Sequence, residues 1–335
     1  MRAANRSHRY RRRGPDRRPL SKRLFQHGKR KQRALRRRRI MKRVRFAGAA
    51  AVPVAVGLTS LRKRLDLPQT AAVLIACTAP VCAVIATPPG SRRRYIAGGA
   101  AYMWLFGVTW EMPADDSGNQ RRRVRLDYPI KIDSFLGRGV PPGLRLQRAL
   151  RDPDRVSLLD MAVTLVYGSW FLPHALLAYV LLRHEDYLPR AAGRLSAAYG
   201  LTTPFYWAIP TAPPWWASEH RGRMDGEVDR VVRKVVCHVF NRPSPTPGET
   251  PGNPWGSMPS DHIASAAITA MGLWEVRTAY GVAGWTYVVA ASFAVVYLGE
   301  HYLTDVLAGL AIAEIVRRGE PIAVPIARTI AHAME

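Results

Sequence analysis

The chain has 335 residues, of which 48% are hydrophobic, with 50 Lys and Arg against 24 Asp and Glu. The averages resemble those of a soluble protein, but residues 1–45 hold 21 of the basic residues and one acid, Asp16, so a net +20 of the total +26 sits in the first 45 positions. Three cysteines, Cys77, Cys82 and Cys237, exclude a paired disulfide framework and show no CxxC spacing for zinc or redox work.

The first segment carries Arg11-Arg12-Arg13, Lys29-Arg30-Lys31 and Arg36–Arg39 with few apolar residues, a composition that predicts disorder over 1–45. A polybasic stretch before an apolar one predicts a cytoplasmic N-terminus attracted to anionic lipid headgroups. Aromatic rings for base stacking are nearly absent, so no nucleic-acid partner is expected. No short basic region leads directly into an apolar core and cleavage site, so no cleaved signal peptide is expected.

Apolar stretches of membrane-span length, roughly 20 residues, follow at 70–87, 95–112, 158–182, 195–211, 260–279 and 282–316. The last is too long for one crossing and breaks at Leu298-Gly299-Glu300-His301, predicting two helices that meet near His301. A shorter stretch, 46–61, contains Pro53, and 195–211 contains Pro204 and Pro210. Eight crossings put both termini on the cytoplasmic side. The loops 113–157 and 212–257 and the 299–305 junction are then extracytoplasmic, with Arg92–Arg94 and Arg317-Arg318 inside. Arg121–Arg123 in an outer loop is the exception, and long loops obey the charge rule poorly.

Two short segments on that outer face carry chemistry. In Ser257-Met258-Pro259-Ser260-Asp261-His262 a loop becomes a helix, and a helix start suits an anion such as phosphate. Ser260 there is a cap or a donor to bound oxygen, and a capped helix with an interfacial histidine is the plain alternative. In His301-Tyr302-Leu303-Thr304-Asp305 a helix beginning near His301 puts His301 and Asp305 on one face. The carboxylate then orients the ring and leaves its other nitrogen as nucleophile or base. A structural His–Asp pair is the competing reading. No third histidine or glutamate stands at ligand spacing, so no metal and no other cofactor is expected.

Pro259-Ser260-x-His262 followed by His301-x-x-x-Asp305 resembles the second and third signatures of the type 2 phosphatidic acid phosphatase superfamily of membrane lipid phosphatases and phosphotransferases. Pro210-Thr211-Ala212-Pro213-Pro214-Trp215 is similar to a segment of the inositol phosphorylceramide synthase branch. The resemblance implies that His301 attacks phosphorus to form a phosphohistidine, Asp305 orients it, and His262 protonates the leaving oxygen and then deprotonates the acceptor.

Departures from the pattern are informative. Phosphatase members carry Ser-Arg where this chain has Ala294-Val295, and Lys234 precedes Arg242-Pro243 by one residue too many for the first signature. Both losses favour transfer over simple hydrolysis. Asp261 replaces a Gly or apolar residue and must be turned away from phosphate or paired. The cation that neutralises the substrate is then sought among Arg230, Arg233 and Lys234, with Arg221, Arg223 and Arg242 nearby. Trp215, Trp216 and Trp255 are expected at the membrane interface, and His174 as a packing residue. Glu111, Asp115, Asp116 and Asp127-Tyr128-Pro129 are weaker candidates for acceptor contact.

The resulting expectation is an all-α, polytopic integral-membrane helical bundle. A disordered tail (1–45) and two hydrophobic segments (46–94) precede a six-helix catalytic core (95–318), and a short tail (319–335) follows. Its expected activity moves a phosphate or phospho-headgroup from a phospholipid or lipid phosphate to a hydroxyl acceptor. A phosphatase and a non-catalytic membrane scaffold are the alternatives.

Overall fold

The computed structural model describes residues 20–116, 122–170, 174–176, 179–180, 183–243 and 253–333, and every regular element among them is a helix. Helix α1 runs from Leu20 to Ser60, so residues 20–45, expected to be disordered, are helical. Arg, Lys, Leu and Gln are all strong helix formers, and a helix begun in the apolar part extends into them far more easily than it nucleates. Pro53 lies inside α1 without ending it.

Helices α2 (Gln69–Ala86) and α3 (Arg92–Glu111) follow. Then come two short helices, α4 (Asp127–Leu136) and α5 (Pro142–Leu150). Helix α6 (Leu158–Gly168) opens with a reciprocal capping box in which Ser157 and Asp160 exchange side-chain and backbone hydrogen bonds. It covers only the first half of the expected 158–182 span, whose remainder falls partly outside the described residues. Helix α7 spans Leu188–Ala208, α8 Pro214–Arg221 and α9 Val231–Val239. The bundle closes with α10 (Asp261–Val276), α11 (Thr278–Tyr297) and α12 (Leu303–Ala333). The long apolar block therefore breaks between Tyr297 and Leu303, at the expected place.

Among the described residues two helices, α2 and α11, are long and apolar enough to cross a membrane, against the eight stretches expected. The others miss that standard for local reasons. Helix α10 has 16 residues, α3 begins with three arginines and α7 carries Arg190 and Arg194 in its first two turns, and α12 becomes charged from Glu314 onward.

Ion pairs and hydrogen bonds sort the helices into two ends. At one end, Arg194 of α7 bonds Glu320 of α12 at 2.8 Å and pairs with Glu275 of α10 at 2.9 Å. At the other, the Tyr206 hydroxyl donates to the Pro259 carbonyl at 3.0 Å and Ser260 N–H to the Asp305 carbonyl at 2.9 Å. Trp207 Nε1 donates to Thr109 O at 3.1 Å and Gln69 Nε2 to Met112 O at 3.0 Å, bringing α2 and α3 to the same end. Sixteen residues of α10, about 24 Å at ~1.5 Å per residue, separate the two. Ala264, Ala267, Ala270, Ala291 and Ala313 recur in the buried core between α10, α11 and α12, and these small side chains let the helices approach closely.

Candidate active site

The starts of α10 and α12 are brought together by backbone contact. A Cβ on Gly309 would lie 2.4 Å from the Ser260 carbonyl oxygen, so only glycine lets α12 lie against the first turn of α10. Gly299 has φ +75°, and a Cβ there would lie 2.8 Å from Asp229 O. This left-handed residue turns the chain out of α11 and presents Glu300 and His301. Both following amides, of Glu300 and His301, donate to Val295 O.

The two histidines of the distant segments meet. His301 Nε2 lies 3.3 Å from His262 Nδ1, with the ring planes at 69°. His301 Nδ1 is 2.9 Å from the Ser257 carbonyl and 3.4 Å from Asp305 Oδ2. A carbonyl only accepts, so Nδ1 carries the proton and Nε2 presents its lone pair toward His262. His262 is in the first turn of α10, its ring stacked on Tyr167 at 5.0 Å and tilted against Trp170 at 4.9 Å.

Asp305 reaches His301 by a different route from the one expected. Helix α12 starts at Leu303, so the carboxylate folds back over the turn instead of sharing a helix face with the ring. Its Oδ2 accepts from Tyr302 N at 2.9 Å and from the Ser257 hydroxyl, while Oδ1 has no hydrogen-bond partner among the described residues. Ser260 occupies the position before α10 but makes no capping bond, and its buried Oγ also has no partner among the described residues. Asp261 is turned toward α7, where Thr202 Oγ1 donates to it at 3.2 Å, which keeps the carboxylate off the histidine pair.

The three basic candidates separate in space. Arg233 forms a two-pronged pair with Glu219 at 2.8 and 3.2 Å, and Lys234 bonds Asp229 at 2.8 Å. Arg230 instead donates from Nε to Glu300 Oε1 at 2.9 Å and lies 4.3 Å over the Trp215 ring. Trp215 Nε1 donates to the other Glu300 oxygen at 3.2 Å, and its backbone N–H to Gly299 O at 3.1 Å. Arg230 is thus fixed through its Nε to the residue that precedes His301, with its two terminal nitrogens not hydrogen-bonded to any described carboxylate.

Several contributors were not singled out for these roles in the sequence. Glu300, the Ser257 carbonyl, Tyr167 and Trp170 gain their roles only when the segments meet. Trp215, Trp216 and Trp255, expected at a membrane interface, are all buried in one cluster, because the proline-rich segment folds back onto the Gly299 turn. His174 is bonded to Trp170 O at 2.9 Å and lies 3.4 Å from the Tyr199 hydroxyl. Arg62 holds Asp115 at 2.7 Å, away from the pair.

Asp133 of α4 is the least expected contributor. It is buried, accepting from Leu303 N at 2.9 Å, Thr304 N at 2.8 Å and Thr304 Oγ1 at 2.5 Å, and so caps α12 from outside it. Burial raises its carboxyl above the ordinary value although the Thr304 and Leu303 bonds oppose the shift. Nearby, the Tyr128 hydroxyl bonds Thr211 Oγ1 at 2.8 Å, and burial pushes it up to about 12.

A family model described as "PAP2 superfamily" matches residues 141–317, a little over half of the chain. The match runs from α5 into α12 and contains His262, Arg230, His301 and Asp305, and it leaves out α1 to α4. No curated protein and no solved structure matches the chain.

Proposed function

The chain belongs to the PAP2 superfamily, whose members act on lipid phosphates, and from that premise we propose that it is a membrane-embedded lipid phosphotransferase working through a phosphohistidine at His301. The observation that carries this reading is the 3.3 Å approach of His301 Nε2 to His262 Nδ1, with the far nitrogen of His301 tied to the Ser257 carbonyl.

In the first step His301 Nε2 attacks phosphorus and the phosphoester P–O bond breaks. His262, entering as imidazolium, gives its Nδ1 proton to the departing oxygen. In the second, neutral His262 takes the proton of an acceptor hydroxyl, whose oxygen attacks phosphorus and releases His301. Arg230 supplies the cation for the non-bridging oxygens, held by Glu300 and Trp215, and replaces the arginine that the family signature has at Val295. Ser260 Oγ, buried at the start of α10 without a partner among the described residues, is a donor for the same oxygens. Arg233 and Lys234 neutralise Glu219 and Asp229 instead. The Pro210–Trp215 segment, similar to that of the inositol phosphorylceramide synthase branch, seats Trp215 under Arg230, which supports transfer of a phospho-headgroup to a hydroxyl acceptor over release of phosphate to water.

The same reading makes the chain multi-pass, with the basic N-terminus on the cytoplasmic side near anionic lipid and the site on the extracytoplasmic face. The two long apolar helices α2 and α11 and the gathering of the chemistry at one end of the bundle support it. Outward-facing Leu74, Leu165, Val289 and Ile315, all exposed, fit a hydrocarbon surround. The test is to expose purified protein to a lipid labelled on phosphorus. Wild type takes up an acid-labile label and His301→Ala does not; a label retained by His301→Ala removes His301 as nucleophile. A labelled phospho-headgroup product identifies a transferase and labelled inorganic phosphate a phosphatase, while turnover unchanged in both His301→Ala and His262→Ala identifies a scaffold.

A further inference from the structure

Helix α4 lies outside the matched family region yet contacts the start of α12 between His301 and Asp305. Its inner face buries Pro129 and Asp133, and Asp133 binds the first two residues of α12 and the Thr304 hydroxyl. Those residues stand between His301 and Asp305. Its outer face presents Ile132, Phe135 and Leu136, at spacings of three and four residues, with Phe135 83% exposed. Lys131 and Arg138 are also exposed beside this face. Three large apolar side chains on one helical stripe, bordered by cations, form the pattern of a helix lying at a lipid surface. Water is a poor neighbour for a phenyl ring so fully displayed, and the flanking cations suit lipid phosphates.

We infer that α4 is an interfacial anchor: Ile132, Phe135 and Leu136 seat in the bilayer surface at the site's end of the bundle, and Asp133 transmits that seating to the start of α12, setting His301 and Asp305 at the level of the lipid phosphates. This rests on the chain spanning a membrane, as proposed above, but not on the identity of donor or acceptor. Asp133 acts as a positioning residue and does not touch substrate.

A nitroxide at Phe135→Cys, with Cys77, Cys82 and Cys237 replaced by alanine and the full chain in phospholipid nanodiscs, tests the seating. The expected result is relaxation by oxygen, which concentrates in the bilayer, and little by a water-soluble nickel complex. A nitroxide reached by the nickel complex, or shielded from both as a protein partner would shield it, overturns the inference whatever the enzyme does. The catalytic arm compares Phe135→Asp on a bilayer-resident lipid phosphate and on a short-chain, water-soluble one. The expected result is a fall of roughly tenfold or more in kcat/KM for the bilayer substrate, the factor set by one large apolar side chain leaving the lipid surface, with kcat on the soluble substrate retained. Equal losses on both substrates would mean that Phe135 only holds the fold, and would overturn the anchoring role. Asp133→Asn is expected to lower kcat on both substrates while leaving the nitroxide depth unchanged. Unaltered kcat in that variant removes Asp133 as the link.

Discussion

Replacing Arg230 by glutamine separates the two roles that its position implies. Glu300 is almost fully buried and receives one charged hydrogen bond, from Arg230 at 2.9 Å, and one neutral bond, from Trp215 at 3.2 Å. Removing the guanidinium forfeits a charge-assisted bond worth about 1.5–3 kcal/mol and a cation–π contact worth roughly 0.5–2 kcal/mol. It also leaves a carboxylate out of water with a single donor. Because Arg230 is itself a quarter exposed, water relieves part of this, and a stability loss of about 2–3 kcal/mol is expected. Glu300→Gln alone is expected to cost about 1–2 kcal/mol, and the double variant clearly less than the sum, since each single change strands the partner of the other. Thermal or denaturant unfolding of all four proteins in one detergent gives that coupling. Catalysis gives the other half: if Arg230 holds the transferring phosphoryl group, Arg230→Gln lowers kcat by roughly 10²–10³, and Glu300→Gln by less, because the arginine remains but wanders. A variant that unfolds earlier yet turns over lipid at the wild-type rate would refute the clamp, and strictly additive stabilities would refute the pairing.

Gly309→Val drives a branched side chain against the Ser260 carbonyl and the start of α10; separation of α10 from α12 should abolish turnover and lower the unfolding temperature, and an active, equally stable variant would contradict the close packing. Arg194→Gln at the far end breaks the cluster with Glu275 and Glu320, so it should lower stability by about 1–3 kcal/mol with kcat at residual folded protein unchanged; a selective loss of kcat would show that the two ends are coupled. Asp133 has its carboxyl raised by burial, so its stabilising contribution is full in acid and lost as pH rises from the ordinary carboxylate value through the raised one. The stability advantage of wild type over Asp133→Asn should therefore shrink from acid to neutral pH, and an advantage that grows over that range would refute the assignment. Asp305→Asn puts a neutral amide where the carboxylate Oδ2 accepts from Ser257 and Tyr302 N and faces His301 Nδ1, so the charge that would favour the imidazolium is lost; kcat should drop by about 10²-fold or more with KM little changed, and a loss confined to KM would argue that Asp305 does not orient His301.

What could be seen in the sequence was whatever neighbouring residues decide among themselves. An apolar run of 35 residues cannot be one crossing, and Gly299 among bulky residues marks where it turns, so the junction before His301 was visible. The four-residue spacing of His301 and Asp305 placed them together, although through a turn and not along a helix face. The basic segment misled because composition speaks of burial and not of helix continuation: Leu20 to Ser60 is one helix since nothing in it stops propagation. Glu300 and Asp133 were invisible as site residues for a different reason. Their partners lie 70 positions away at Arg230 and 171 away at Thr304, and no local pattern announces which carboxylate will find which cation or helix start.

The missing arginine at Val295 draws these two kinds of knowledge together. A phosphoryl group between two imidazoles needs a cation, and that requirement holds for any chain carrying this histidine pair, so the sequence alone pointed to a substitute in the outer loop, above all in the 226–240 stretch. Three basic residues there carry the charge, the two arginines being the better phosphate ligands. The fold distinguishes them by what each carboxylate takes: Glu219 occupies both arms of Arg233, Asp229 occupies Lys234, and Glu300 takes only the Nε of Arg230. The need for a positive charge is thus a matter of reaction chemistry and the identity of its bearer a matter of topology. In the proposed reaction Arg230 meets both conditions because the residue that anchors it, Glu300, immediately precedes His301 in the chain.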